Sequence, residues 1–160
     1  MGILNGECIE VALQLSKPSI LAILNDECTT WGPKWITGFA TGPGLLEERI
    51  GFEFGEAPGK IWDDKWETPE KHILVAKKNI DLVIREKCSS SVIIATRPWL
   101  LDSGEFLYTG GAYCDGIAVA VAGARGRVNE AIAEIIISTV KMLVYLETDY
   151  RIRIDQMDVR

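Results

Sequence analysis

The chain has 160 residues, which is one domain's length and enough for a substantial single core. Apolar residues make up 48% and charged residues 25%, a balance that excludes general disorder. The net charge of −6 opposes a phosphate backbone, so nucleic acid is not an expected partner.

Residues 4–15 read as a short helix that Lys17-Pro18-Ser19 ends, because proline cannot donate to the helical ladder. The apolar run 20–24 reads as a buried strand closed by Asn25-Asp26-Glu27. A second strand is predicted over 35–40, followed by a Gly42-Pro43-Gly44 turn. Residues 42–68 are the least regular part, an irregular insertion or lid with room for a short strand near 50–54. Thr68-Pro69-Glu70 is a helix start, and Ile73, Ala76, Ile80, Val83 and Ile84 then keep helical spacing to about Lys87. Ser89-Ser90-Ser91 breaks that helix. Residues 92–95 read as a strand, Arg97-Pro98 as a turn and 105–109 as another strand.

The densest signal lies between Glu105 and Ile137. Asp115-Gly116 separates two strand-like runs, and an Asp-Gly pair suits a type I′ turn with positive φ at both central residues. The second run, IAVAVA, is wholly apolar. A corner at Gly123-Ala124 leads into a helix over about 128–146 that is apolar nearly all round, and 150–154 alternates like an edge strand. One covering sheet needs one apolar stripe, so the extra apolar faces predict a homo-oligomer joined through this helix. The predicted class is α+β, with an antiparallel sheet flanked by helices in a single domain.

No run approaches the about 20 apolar residues that span a bilayer, and no membrane partner is expected. No N-terminal segment pairs a basic stretch with an apolar one, so no signal peptide is expected. Cysteines at 8, 28, 88 and 114 lack C-x-x-C spacing and read as reduced thiols of a cytoplasmic protein. His72 is the single histidine and reads as a surface residue near a helix start. It cannot make a zinc site of two or three histidines, and no metal site is expected.

Arg125 and Arg127 flank Gly126 at the opening of the last helix. Free backbone N–H groups and two guanidinium groups there suit a carboxylate or phosphate. The rival reading is a solvated turn whose arginines pair with Glu130 or Glu134. The tryptophan pairs Trp31/Trp35 and Trp62/Trp66, with Trp99, could line a pocket or serve as packing anchors.

Gly110-Gly111, the Asp-Gly hairpin, the Gly123-Ala124 corner and the Asn129-Glu130-Ala131-Ile132-Ala133 helix start resemble the GlcG/HbpS-like family. That family includes heme-degrading-type domains and the C-terminal domain of PduO proteins. The resemblance implies a profilin-like fold, homo-oligomers and small-molecule or heme binding. Members that bind heme through a first-helix histidine have no counterpart here, since residues 4–15 contain none, so heme is disfavoured and no cofactor is expected. The leading expectation is a small, anionic ligand bound by Gly110, Gly111, Gly123, Arg125 and Arg127. One alternative is an enzyme acting on a small metabolite with an acid from 25–27 or 63–64, its catalytic residues otherwise unknown. The other is a purely structural oligomer subunit.

Overall fold

In the computed structural model, residues 5–26, 34–45, 48–56, 69–101 and 109–158 are described. The order is α1 (Gly6–Asn25), β1 (Trp35–Thr41), β2 (Ile50–Gly55), α2 (Pro69–Glu86), α3 (Ser90–Thr96), a 3₁₀ turn at Pro98–Leu100, β3 (Gly111–Cys114), β4 (Ile117–Ala122) and α4 (Gly126–Asp158). The four strands form one antiparallel sheet in the order β2-β1-β4-β3. The α+β single-domain class read from the sequence therefore holds. Residues 46–47, 57–68 and 102–108 lie outside the described part, and with them most of the predicted lid and of the strand at 105–109.

β4 explains the layering. All six of its residues are buried. Ile117, Val119 and Val121 join the larger core beneath α1 and α4, while Ala118 and Ala120 pack against Ile80 and Val83 of α2. Successive strand residues point to opposite faces, so large residues fill one side and alanines let α2 approach on the other. Gly111 continues the small surface: a Cβ there would lie 2.5 Å from Val83 Cγ1 and 3.2 Å from the Asn79 carbonyl.

The first correction concerns α1. The predicted break at Pro18 and strand at 20–24 are one continuous helix through Asn25. Ile9, Ala12, Leu13, Ser16, Ile20 and Leu24 are buried at helical spacing. Gln14 and Pro18 lie on the exposed side, where water can satisfy the carbonyl that loses its donor. The second correction concerns α4, which continues through 150–154, so no edge strand forms there. Ion pairs four residues apart, Glu147–Arg151 at 2.8 Å and Asp149–Arg153 at 3.0 Å, support the helix where the alternation of apolar residues suggested a strand. The third is α3, predicted as a strand over 92–95.

α1 and α4 run antiparallel. The hydroxyls of Ser16 and Thr139 lie 3.0 Å apart. Nearer the other end, burial and then the Glu147 carboxylate push the Cys8 thiol pKa up. Two surfaces of the same chain, the sheet and α1, thus cover Ile132, Ala133, Ile136, Ile137 and Val140. This part of α4 needs no second chain for its burial. At 33 residues α4 is about 50 Å long, against about 30 Å for the 20-residue α1.

The hairpin forms as expected. Asp115 and Gly116 have φ of 51° and 85°. Lys141 of α4 holds the turn through a 2.8 Å bond to the Asp115 carboxylate, and that bond lowers the Asp115 pKa. Just before the opposite edge strand β2, Arg49 pairs with Asp81 of α2. At Gly116 a Cβ would stand 2.8 Å from Pro43 Cγ. Gly116→Val is expected to lower stability by about 1–3 kcal/mol, the cost of a left-handed β-branched residue, measured by denaturant unfolding.

Candidate functional site

The structure brings the two halves of the predicted site together. Gly110 accepts a 2.9 Å bond from Val121 N, and a Cβ on Gly110 would lie 3.3 Å from Asn129 Cβ in the first turn of α4. A Cβ on Gly126 would collide with Thr109 Oγ1. Gly110-Gly111 and the corner from Gly123 to Arg127 therefore share one neighbourhood.

What fills that neighbourhood is the chain itself. Gly110 and Gly111 both donate their backbone N–H to Ser90 Oγ, at 2.9 and 3.0 Å. Those two donors are already engaged. Gly123, at φ 122°, has its Cβ direction closed by the Trp35 carbonyl. The Asn129 side chain pins the corner, accepting from Ala124 N at 3.0 Å and donating to Ala124 O at 2.8 Å. Arg125 and Arg127 extend from this packed base to the surface.

Glu130, one residue on, is buried and faces α3. Its Oε2 accepts from Ser91 N at 3.1 Å and lies 3.3 Å from Ser90 Oγ, and its Oε1 accepts from the Ser91 hydroxyl. Ser89 provides no side-chain cap for α3, so a carboxylate from α4 takes that place. A negative charge at a helix N-terminus is favourable. This also explains the misread strand at 92–95. Its four apolar residues fit either type, and the bonds that select a helix come from 40 residues away.

Ser90 and Glu130 do not form a nucleophilic pair. Ser90 is fully buried, and two backbone N–H groups occupy its acceptor positions. Sequence reasoning missed Ser90, Ser91 and Glu130 as a unit. The available signal was a serine run before an apolar segment, together with an acid near the start of the last helix.

His72 is half-buried in α2, edge-on to the buried Trp35 ring at 6.1 Å. That makes Trp35 a packing anchor and His72 part of its support. Trp99 is exposed, while Trp31, Trp62 and Trp66 lie outside the described residues, as do Asp63-Asp64 and Glu27. Asp26 is the exposed C-cap of α1. Cys8, Cys88 and Cys114 form no disulfide. Among the described residues no three His, Cys, Asp or Glu side chains are grouped to hold a metal, and no helix is long and apolar enough to cross a membrane.

Two further surfaces stand out among the described residues. One is an open groove of about 630 Å³ between α1 and the edge strand β2. The other is the far end of α4, where Met142, Leu146, Tyr150, Ile154 and Met157 are exposed. Comparison with protein-family models, with curated proteins and with solved structures finds no match.

The bonds from Gly110 and Gly111 to Ser90 carry a measurable share of the stability. Ser90→Ala would strip two buried N–H groups of their acceptor, at about 1–3 kcal/mol each. The expected outcome is a fall in the urea midpoint with unchanged m-value. Ser90→Thr, which keeps the hydroxyl, should recover part of it.

Proposed function

We propose that this chain is a homo-oligomeric interaction domain that joins a second copy through the distal part of α4. The observation that carries this reading is the exposed stripe Leu146, Tyr150, Ile154 and Met157. These residues recur every three or four positions, so they share one helix face, and each is between 39% and 76% exposed. Polar residues flank them, with Glu147 and Arg151 on one side and Asp149 and Arg153 on the other.

That pattern is self-complementary about a two-fold axis. With two α4 helices antiparallel and the axis at Tyr150, Leu146 stands level with Ile154 of the second copy. Glu147 and Asp149 then fall within a turn of Arg151 and Arg153 of the second copy. An isologous interface matches a surface to itself, and this one pairs apolar with apolar and acid with base. The resemblance to GlcG/HbpS-like proteins supports the same reading, because it implies homo-oligomers.

Light scattering is expected to return twice the 17.7 kDa chain mass at micromolar concentration. Leu146→Asp with Ile154→Asp should return a monomer with an unchanged far-ultraviolet spectrum. A monomeric wild-type protein would overturn the proposal.

The second reading is a small anionic ligand at the corner, favoured by the exposure of Arg125 and Arg127 beside the opening of α4. Millimolar phosphate or citrate should then raise the melting temperature of the wild type, and Arg125→Ala with Arg127→Ala should abolish the shift. Equal shifts in the two proteins would leave the corner as a structural turn.

A further inference from the structure

The groove between α1 and β2 belongs to neither the corner nor the stripe on α4. Its apolar part is made by Val11 and Leu15 of α1, both exposed, and by Phe52 and Phe54 of β2. Glu7, Glu10 and Glu53 line it, and among the described residues no lysine or arginine does. β2 is the end strand of the sheet among the described residues, paired to β1 alone. A strand at a sheet edge presents backbone donors and acceptors to whatever lies beside it.

The three features fit together by register. Ile50, Phe52 and Phe54 belong to the core on the α1 side, with Phe52 and Phe54 buried. Strand residues alternate between faces, so Glu53 points to the opposite face of the sheet. A strand added beside β2 would place every second side chain next to the phenylalanines and the apolar face of α1. The residues between them would fall beside Glu53. Directly opposed side chains on neighbouring strands interact, and opposite charges there are favourable. The strand that fits alternates apolar with basic residues, and Glu7 and Glu10 add to the attraction from the α1 side.

We propose that this groove docks an extended segment of another protein in which apolar residues alternate with lysine or arginine, added as a fifth strand along β2. Backbone bonds to the edge supply affinity that depends little on sequence, and the alternating side chains supply selectivity. A second copy of this chain is a poor occupant, because antiparallel pairing of two β2 edges brings Glu53 of each copy to the same seam. Nucleic acid is repelled by the same three carboxylates.

The test uses a fluorescent hexapeptide of alternating lysine and valine, its glutamate–valine counterpart, and the lysine–valine peptide N-methylated throughout. The lysine–valine peptide is expected to bind, to move the backbone amide resonances of residues 50–55, and to weaken as salt rises. Substituting Glu7→Gln, Glu10→Gln and Glu53→Gln together should raise its dissociation constant by about tenfold or more, as loss of complementary charge does. All three carboxylates are exposed, and a thermal melt would verify that the variant is folded. Glu10→Lys alone should weaken binding in the same direction. The N-methylated peptide, which cannot donate backbone hydrogen bonds, should bind at least about tenfold more weakly if the segment adds as a strand. Equal binding of the glutamate–valine peptide, no loss in the triple variant, equal binding of the N-methylated peptide, or no resonance change along β2 would each overturn the proposal.

Discussion

The structure depends on one strand being buried on both faces. β4 leaves no side chain for solvent, so helices must cover the sheet on both sides. The alternation of branched residues with alanine then sets how closely each layer can sit. Ile117, Val119 and Val121 need partners of depth, and α1 and α4 provide them together. Ala118 and Ala120 leave little volume, so α2 comes in until its Val83 meets Gly111. A larger residue at Ala118 or Ala120 would push α2 outward, at about 1–3 kcal/mol for overpacking.

The same three-layer arrangement turns the predicted binding corner into a joint. α3 is a seven-residue helix, too short to be stable by itself. It is held because Glu130 reaches back from α4, while Ser90 collects the N–H groups of Gly110 and Gly111 where β3 begins. The glycines are needed because backbone approaches backbone there. A Cβ at Gly110 would strike the Val121 carbonyl, and one at Gly123 the Trp35 carbonyl. Glycine-rich corners that open helices suit anions because of their free N–H groups. Here Ser90 already uses the glycine donors on the β3 side, so a ligand at this corner would rely on the two arginines.

Local chemistry was the legible part of the sequence. The Asp115-Gly116 turn, β1, β2, the proline start of α2 and the β3–β4 hairpin all follow from residues within a few positions of one another. What failed depended on distant contacts or on one strong local cue overriding a longer pattern. Pro18 outweighed a helical spacing that runs from Ile9 to Leu24 on both sides of it. The alternation at 150–154 outweighed the acid–base spacing of Glu147, Asp149, Arg151 and Arg153. The apolar stretch at 92–95 had no local signal able to distinguish strand from helix. At the candidate site, the glycines and arginines stood out by residue type, and the structure does place them together. Ser90 and Glu130, which organise them, were not legible as a pair because 39 residues separate them and neither lies in a recognisable motif.

Charge distribution connects the two proposed surfaces. The stripe on α4 alternates acid and base along its flanks, so a copy of itself can satisfy it. Among the described residues, the charged groups at the rim of the β2 groove are all carboxylates, so a copy of the same rim cannot satisfy them. An unprotected sheet edge is a ready template for uncontrolled strand pairing between copies, and a charge at the edge is a usual barrier to it. Glu53 on β2, with Glu7 and Glu10 beside it on α1, raises that barrier against this chain's own edge while leaving it low for a basic strand. In the proposed assembly, self-association would be directed to the helix, where it would close after two copies, and away from the sheet, where it could continue. The two surfaces lie on separate elements, so a dimer built through α4 can leave a groove available on each copy. Two linked grooves would hold a partner carrying two basic segments far more tightly than either alone, provided the spacing between its segments spans the dimer.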